Sequence, residues 1–270
     1  MGVVGCSFER QDGIGDGPVL PPDAPALRRC SAADPHLRVC FSFDQAPLAP
    51  TQANEGAAPS VTAQLVNATA TAGRDFGAVH LDATSRIFVP ERRDVTGIVS
   101  LEAWFRFDAA PPDGERTGIL DTEDRPEMSL FRHRIHGLHV VRCAIGDQEV
   151  YAAATRGGRG RHASPARPQI VARSDDGWRS RRTVPGAWAY VACVCANGSL
   201  RVYGDGTLLT DAPGSCSSGA IGRGGMAIGQ HNHGDDGVDD WLVGAIDTLR
   251  LWDVPLSPSD VCASAGRTDC

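Results

Sequence analysis

Nine cysteines carry the most evident chemistry in this sequence of 270 residues. None belongs to a CxxC pair, and no cysteine–histidine set has the spacing of a zinc site. Scattered cysteines of this kind are typical of disulfide-bonded proteins from an oxidising compartment. Because the count is odd, one cysteine must stay unpaired, and we expect it to be Cys6. The eight expected half-cystines are Cys30, Cys40, Cys143, Cys193, Cys195, Cys216, Cys262 and Cys270.

Spacing suggests only part of the disulfide pattern, since eight cysteines allow on the order of a hundred pairings. Cys262 and Cys270 are close enough in the chain to form a bridge at the C-terminal end. Cys30 lies just before the first predicted strand, where a bridge to Cys40 is possible. The remaining four cysteines would then pair among themselves. A soft-metal site at Cys193-Val194-Cys195 is the alternative, although no histidine lies near it in the sequence.

The segment that ends at Cys6 resembles the lipobox of bacterial lipoproteins, in which the cysteine is diacylated. The basic and apolar parts of a signal peptide do not precede it, so we expect the natural start to lie upstream or the chain to have been shortened. Residues 11–25 follow with three glycines and four prolines, as in a flexible linker. We therefore expect a lipid anchor at Cys6 and display on a bacterial envelope. The alternative is an incidental or buried cysteine.

Charge and composition narrow the possible partners. All 26 basic residues are arginine, which indicates a GC-rich bacterial genome, and the net charge of -7 argues against nucleic acid as the main partner. No apolar run approaches the roughly 20 residues of a membrane-spanning helix, so we expect membrane contact only through the lipid. Residues 155–186 contain eight arginines; they predict a solvated insertion or, alternatively, a loop that binds polyanions.

Short alternating runs separated by turn signals predict an all-β domain from about residue 38, with one short helix over 257–264. Asn197-Gly198 and Asp205-Gly206 predict two-residue hairpin turns. Alternation in strand 98–107 separates two faces. The core face holds Leu101, Ala103, Phe105 and Phe107. The outward face holds Glu102, Trp104 and Arg106.

Candidate ligand-binding residues come from that outward face and from one polar loop. Trp104 beside Glu102 and Arg106 suits sugar stacking with hydrogen bonding, unless the indole is packed under a loop. The loop with His231 and His233 is rich in atoms that could bind a sugar or a metal, although such loops are more often plain turns.

Catalytic patterns are missing from the sequence. No strand carries the Glu-x-Asp-x-Glu spacing that places two carboxylates on one face of a retaining glycosidase. The acidic stretch from Asp121 to Glu127 contains Pro126, so we interpret it as a solvated turn. The Gly-x-Ser-x-Gly pattern of a serine nucleophile is also absent. We therefore expect a protein that is not an enzyme.

Four segments in order resemble the laminin-G-like, concanavalin A-like jelly-roll family: residues 78–90, 98–107, 187–206 and 226–257. They carry Glu102-Ala103-Trp104, then Trp188 with Val191-Ala192, then Leu200 with Asp205-Gly206, and finally Gly244, Ile246-Asp247, Arg250 and Trp252. The resemblance implies a two-sheet antiparallel sandwich of about 12–14 strands over residues 38–270, after an N-terminal segment of residues 1–37.

The resemblance also implies a metal site and a second disulfide option. Related folds bind a structural calcium ion where the first and last strands meet, which would bring Asp44 and Asp247 together. Asp247 is in phase with the apolar Leu249 and Leu251, where an unpaired carboxylate is costly, so the alternative is pairing with Arg250 or with backbone amides. The same adjacency of strands makes Cys40–Cys262 a rival to Cys30–Cys40.

These observations favour a non-catalytic recognition or adhesion module with glycan or protein ligands. A glycosidase on the same fold and a purely structural surface lipoprotein are the alternatives.

Overall fold

The computed structural model describes most of the chain from Cys30 onwards. The described residues are 30–74, 76–122, 126–135, 138–153, 170–171, 185–214, 216–232 and 238–269. The expected lipidation site Cys6, the linker and nearly all of the arginine-rich insertion lie outside them, so these expectations and the domain boundary at residue 37 stay predictions.

Two sheets and one helix form the described part. The eight-stranded sheet contains β1 (Leu37–Phe41), β4 (Thr69–Ala72), β5 (Gly77–Leu81), β7 (Ser100–Phe107), β13 (Trp188–Ala196), β14 (Ser199–Gly204), β15 (Thr207–Pro213) and β19 (Gly244–Trp252). The nine-stranded sheet contains β2 (Thr51–Ala53), β3 (Thr62–Val66), β6 (Arg86–Val89), β8 (Arg116–Asp121), β9 (Glu127–Ile135), β10 (Leu138–Gly146), β11 (Gln148–Ala153), β12 (Ile170–Val171) and β16 (Met226–Ile228). A separate hairpin consists of β17 (His231–Asn232) and β18 (Val238–Asp239), and helix α1 spans Pro258–Ser264.

Strand order confirms the two-sheet sandwich. The eight-stranded sheet runs β15-β14-β13-β7-β19-β5-β4, with β1 paired to β19, and the other runs β12-β11-β10-β9-β8-β16-β6-β3-β2. Pairing is antiparallel except between β11 and β12. The described strands outnumber the expected 12–14 because several have only two to four residues, such as the Thr- and Ala-rich β4. Such short strands lack the apolar alternation by which a strand is recognised.

The two sheets pack through one continuous apolar core. The inward residues of β7 are those expected from alternation, and Val191, Cys193 and Cys195 of β13 join them. Both predicted hairpin turns are confirmed, with φ values of 51° and 72° at Asn197-Gly198 and of 49° and 81° at Asp205-Gly206. Two successive positive φ angles are the requirement of the type I′ turn that joins twisted strands.

Three complete disulfides are formed among the described residues. Cys143–Cys193 joins β10 to β13 and therefore crosses the core from one sheet to the other. Cys195–Cys216 ties β13 to the segment after β15, and these two bridges exclude the alternative of a metal at Cys193 and Cys195.

Cys30–Cys40 is also formed, so the rival Cys40–Cys262 pairing is wrong. Cys262 is disulfide-bonded as well, while its expected partner Cys270 lies outside the described residues.

Helix α1 covers the outer face of the eight-stranded sheet. It begins as predicted after Ser257, whose hydroxyl accepts a hydrogen bond from the Asp260 amide, while the Asp260 carboxylate accepts one from the Ser257 amide. This capping box offsets the unpaired amides of the first turn. Val261 of the helix packs into a second apolar cluster that also contains Trp104 and Tyr190.

The expectation of an exposed Trp104 is therefore corrected. Trp104 does point away from the core, but the helix covers it, and only 3% of the residue is exposed. Its indole nitrogen donates to the carbonyl oxygen of Ser264 at 3.0 Å, and the Arg74 guanidinium lies 3.8 Å from the ring centroid. Alternation indicates the face of a residue, but it does not indicate what a distant segment lays over that face.

Glu102 is buried beneath the same cover, with 1% of the residue exposed. Its carboxylate accepts a hydrogen bond from Arg250 at 3.0 Å and one from the Trp252 indole at 3.2 Å. The Tyr190 hydroxyl donates a third. Burial raises the pKa of Tyr190 and the adjacent Glu102 charge raises it further, so the hydroxyl keeps its proton. Glu102 is thus a structural residue and not an open ligand contact.

We predict that Glu102→Gln lowers the free energy of unfolding by about 3–5 kcal/mol, because the substitution leaves the buried Arg250 charge without its counter-ion. Denaturant unfolding with the disulfides intact measures this loss. Glu91→Gln is the matched control, since Glu91 forms an ion pair with Arg93, whose side chain is 82% exposed. Equal stability of the two variants would contradict the structural role of Glu102.

Candidate functional site

The outer face of the nine-stranded sheet is the second surface on which side chains converge. In β9, Met128 and Leu130 point into the core, so Phe131 and His133 point outward. The register places Phe131 beside Arg142 of β10 and Gly118 of β8. A Cβ atom on Gly118 would lie 2.3 Å from the carbonyl carbon of Gln230, so the glycine lets the β17 segment approach the sheet closely.

The Phe131 ring is the centre of this surface. Two guanidinium groups lie over it, with Arg116 at 4.9 Å and Arg142 at 5.4 Å from the ring centroid. His231 contacts its edge at 5.3 Å between ring centroids, and His133 lies at 6.2 Å. We call Phe131 and these four residues the polar face. The ring is fully buried, so what a ligand meets here is the surrounding polar groups.

Arg116 and His231 hold one half of the polar face. Arg116 forms an ion pair with Asp240, and its NH2 group lies 2.8 Å from Nδ1 of His231. Arginine can only donate hydrogen bonds, so Nδ1 accepts and a neutral His231 carries its proton on Nε2. Nε2 lies 3.5 Å from the carboxylate of Asp121. His231, one of the two candidate loop histidines, therefore lies on the polar face, and its role in ligand binding stays a prediction. The other candidate, His233, lies outside the described residues.

Arg142 and His133 form the other half. Arg142 pairs with Glu127 at 2.9 Å and with Glu149 at 2.7 Å. Burial, together with the charges of Arg116 and Arg142, lowers the pKa of His133 to about 4. His133 is therefore neutral at neutral pH. Its buried Nε2 atom has no hydrogen-bond partner among the described residues.

The acidic residues Asp121 and Glu127 were expected in a solvated turn, and for these two residues the expectation is wrong. Asp121 ends β8 on the outer face with 1% of the residue exposed, and Glu127 begins β9 bound to Arg142. Pro126 does interrupt the chain between them, but the two flanking residues belong to adjacent paired strands. The carboxylates of Asp121 and Glu127 thus lie next to residues of the polar face.

Trp241 is the residue that sequence reasoning missed. It directly follows Asp240, the ion-pair partner of Arg116, and 37% of it is exposed. Val243 is also exposed, at 40%. An exposed indole next to fixed charged groups offers a flat apolar surface beside hydrogen-bonding groups. Trp241 precedes the last strand, since β19 begins only at Gly244.

Asp44 and Asp247, the expected calcium ligands, lie on either side of one turn. Asp247 accepts a hydrogen bond from the Arg74 amide at 2.6 Å and one from the Thr248 hydroxyl at 2.7 Å. Asp44 accepts a hydrogen bond from the Gly77 amide at 3.3 Å. These contacts match the alternative of backbone-amide capping. Within the described ranges, no group of three or more His, Cys, Asp or Glu side chains could hold a metal.

The predicted phase of Asp247 is wrong. A register shift between Ile246 and Thr248 places a bulge at this residue, so Ile246 and Leu249 both point into the core. A bulge adds one residue and reverses the alternation beyond it. Asp247 is consequently turned towards the neighbouring turn instead of the core.

Arg106, the last candidate from the outward face, is separated from the buried Glu102 and Trp104. It lies at the uncovered end of β7, 3.5 Å from Asp108 and 5.3 Å from the ring of Trp188. The structure therefore does not assemble the three outward residues of β7 into one ligand surface.

The sequence of residues 81–262 matches a laminin-G-type family described as the concanavalin A-like lectin/glucanases superfamily. No curated protein is similar enough in sequence to count as a relative. Among the described residues, no helix has the length and hydrophobicity needed to cross a membrane.

Several solved structures share the fold. Domain 4 of AbnA, an extracellular GH43 arabinanase from Geobacillus stearothermophilus in complex with arabinotriose, has a TM-score of 0.54 at 15% identity, over 85% of this chain and 98% of that one. The binding domain of Paraclostridial Mosquitocidal Protein 1 has a TM-score of 0.53 at 10% identity, over 85% and 52%. A botulinum neurotoxin type C structure, described with two ganglioside molecules, has a TM-score of 0.52 at 10% identity, over 85% and 50%.

This chain spans about half the length of the two toxin chains. Identities this low establish a shared fold and nothing finer. The family match, in contrast, covers well over half of the chain, and the four resembling segments occur in the expected order along it. The protein therefore belongs to the concanavalin A-like lectin/glucanases superfamily.

Proposed function

We propose that this protein is a non-catalytic glycan-recognition module that works outside the cytoplasm, with the polar face and Trp241 as its binding surface. The observation that carries the proposal is the exposed Trp241, which in the chain directly follows Asp240, the ion-pair partner of Arg116. A sugar ring offers an apolar face for stacking and hydroxyl groups for hydrogen bonding, and this surface supplies both complements.

The polar groups of the surface are held in place before any ligand arrives. Arg116 is fixed by Asp240 and His231, and Arg142 is fixed by Glu127 and Glu149. Preorganised groups lose little conformational freedom on binding, which favours recognition of a weakly bound ligand such as a sugar.

Charge pairing supports a binding role over glycoside hydrolysis. A glycosidase needs a pair of carboxyl groups that act on one glycosidic bond. Here Asp240 forms an ion pair with Arg116, and Glu127 forms one with Arg142. Both carboxylates therefore hold arginine side chains in place, which suits a surface that binds a ligand.

The similar structures and the disulfides are consistent with this proposal. Two of the similar structures are described with sugar-containing ligands, arabinotriose and gangliosides. Because the likeness establishes only the fold, the proposal depends on the residues of the polar face. Disulfides persist in oxidising compartments, which favours a secreted or surface location. Display on a bacterial envelope through a lipid at Cys6 is the finer form of the proposal.

We predict that Trp241→Ala weakens glycan binding by about tenfold or more, because a stacking tryptophan typically dominates the surface around it. Binding is measured first on an array of neutral and acidic oligosaccharides and then by titration calorimetry with the best ligand. Phe76→Ala is the matched control, since Phe76 is an aromatic residue with 57% exposure in the turn between β4 and β5, on the other sheet.

Other outcomes of the same assays distinguish the alternatives. Equal loss of binding in both variants would contradict the assignment to Trp241. Release of reducing sugar from β-glucans by the wild-type protein would replace the binding module with a glycosidase. Absence of both binding and release would favour a protein ligand or a structural surface lipoprotein.

We also propose the structural calcium ion implied by the family, to be tested against amide capping. The supporting observation is that the Asp44 and Asp247 carboxylates flank the same turn, where backbone carbonyls could complete an oxygen shell.

If calcium binds there, a chelator lowers the melting temperature of the wild-type protein, because a bound ion stabilises only the folded state. Asp247→Asn then removes the response to the chelator, while Asp253→Asn, a surface carboxylate paired with Arg38, leaves it intact. An unchanged wild-type melting temperature in calorimetry would leave amide capping as the role of both carboxylates.

A further inference from the structure

A second group of basic side chains lies at the far end of β9, on the opposite face from the polar face. Arg132 and Arg134 follow Met128 and Leu130 in the inward alternation of the strand. The register pairs Arg134 directly with His139 of β10. We call Arg132, Arg134 and His139 the basic end cluster.

Contacts place the basic end cluster at the edge of the apolar core. The Arg132 guanidinium lies 4.1 Å from the centroid of Phe107, the last residue of β7 in the other sheet. Its NH2 group lies 2.7 Å from Nδ1 of His139. Only 3% of Arg132 is exposed. Two cationic side chains of one strand are therefore held where the two sheets meet, and one of them is almost entirely removed from water.

Burial and the neighbouring positive charges both disfavour the charged forms of Arg132 and His139. Burial lowers the pKa of Arg132 to about 10, with the charge of Arg134 as the further cause. Burial lowers the pKa of His139 to about 4, followed by the charges of Arg132 and Arg134. Like charges in a poorly hydrated place repel strongly, so a negative group in this place would be favourable.

Arg134 provides the second, independent observation. Its Nε atom is buried and has no hydrogen-bond partner among the described residues. A buried N–H group without an acceptor costs free energy, and an acceptor beside it recovers that cost. His139 lies beside the same guanidinium groups, with Nδ1 at 2.7 Å and Nε2 at 3.2 Å from the NH2 group of Arg132.

We propose that the basic end cluster binds an oxyanion, a carboxylate or sulfate group, through Arg134 with the support of Arg132 and His139. A guanidinium group can donate two parallel hydrogen bonds to two oxygen atoms of a carboxylate or a sulfate, whereas chloride is a single spherical acceptor. The site is separate from the polar face and does not depend on the glycan proposal. The anion is either free in solution or carried as a substituent on a larger ligand.

The test uses inorganic sulfate as the probe and the full chain as the protein. At low millimolar sodium sulfate, compared with sodium chloride at equal ionic strength, the melting temperature of the wild-type protein rises. Arg134→Gln loses this specific rise and binds sulfate at least about tenfold more weakly in calorimetry, since a hydrogen bond to a charged group accounts for that factor. Arg93→Gln, the same charge change at a side chain with 82% exposure, keeps the wild-type response.

The control also removes the general effect of sulfate on protein stability, which acts on all variants alike. An equal rise in the wild type and both variants, an equal loss in both variants, or no rise in the wild type overturns the proposal. Arg134→Lys guards against misfolding of the glutamine variant, and it should respond only partly because it keeps the charge and lacks the planar fork.

A sulfated disaccharide and its unsulfated form, compared at the same concentration, then distinguish the source of the anion. If the protein binds the sulfated disaccharide more tightly than free sulfate, and Arg134→Gln loses this preference, the anion is a substituent of a glycan. If the sulfated disaccharide and free sulfate bind equally well, the anion is a free ion. Failure of Trp241→Ala to affect glycan binding has no bearing on this result, because the sulfate test depends on Arg134, which is not part of the polar face.

Discussion

The buried ion pair between Glu102 and Arg250 is the interaction on which the arrangement of the eight-stranded sheet depends. The carboxylate of Glu102 lies in the middle of β7 and binds the guanidinium of Arg250 on the adjacent strand β19. A charge removed from water is tolerated only when it is fully paired, so the register of these strands, the Tyr190 hydroxyl and the Trp252 indole are constrained together. Helix α1 completes the arrangement, because its apolar side excludes water from the network.

Because helix α1 covers the outer face of the eight-stranded sheet, the outer faces of the two sheets differ in character. The outer face of the eight-stranded sheet is largely occupied by its own helix, so its tryptophan and carboxylate stabilise the fold. The outer face of the nine-stranded sheet carries paired arginines, histidines and carboxylates around Phe131 instead of an apolar layer. Polar groups that are already paired can remain partly hydrated without a large cost, which suits a surface that binds and releases a ligand.

Two disulfide bridges stabilise the same two-sheet sandwich. Cys143–Cys193 crosses the core between the sheets, and Cys195–Cys216 starts two residues further along β13. Both restrict the unfolded chain more than they shape a site, and they stabilise the sandwich on which both surfaces are built. The basic end cluster differs from these covalent links, because it holds Arg132 and Arg134 close together at the edge of the core, where like charges repel each other.

The amino-acid sequence by itself determined the features that depend on near neighbours. Alternation gave the inward residues of β7, Asn-Gly and Asp-Gly gave the hairpin turns, and the last segment indicated a short helix over 257–264. Only the tertiary structure decided which outward residues are accessible. Trp104 is covered by a helix about 160 positions away, Trp241 is left exposed, and a bulge reverses the phase at Asp247. Strand periodicity is a local property, whereas cover, register and the meeting of Arg116 with His231 depend on contacts between distant segments, which no local pattern encodes.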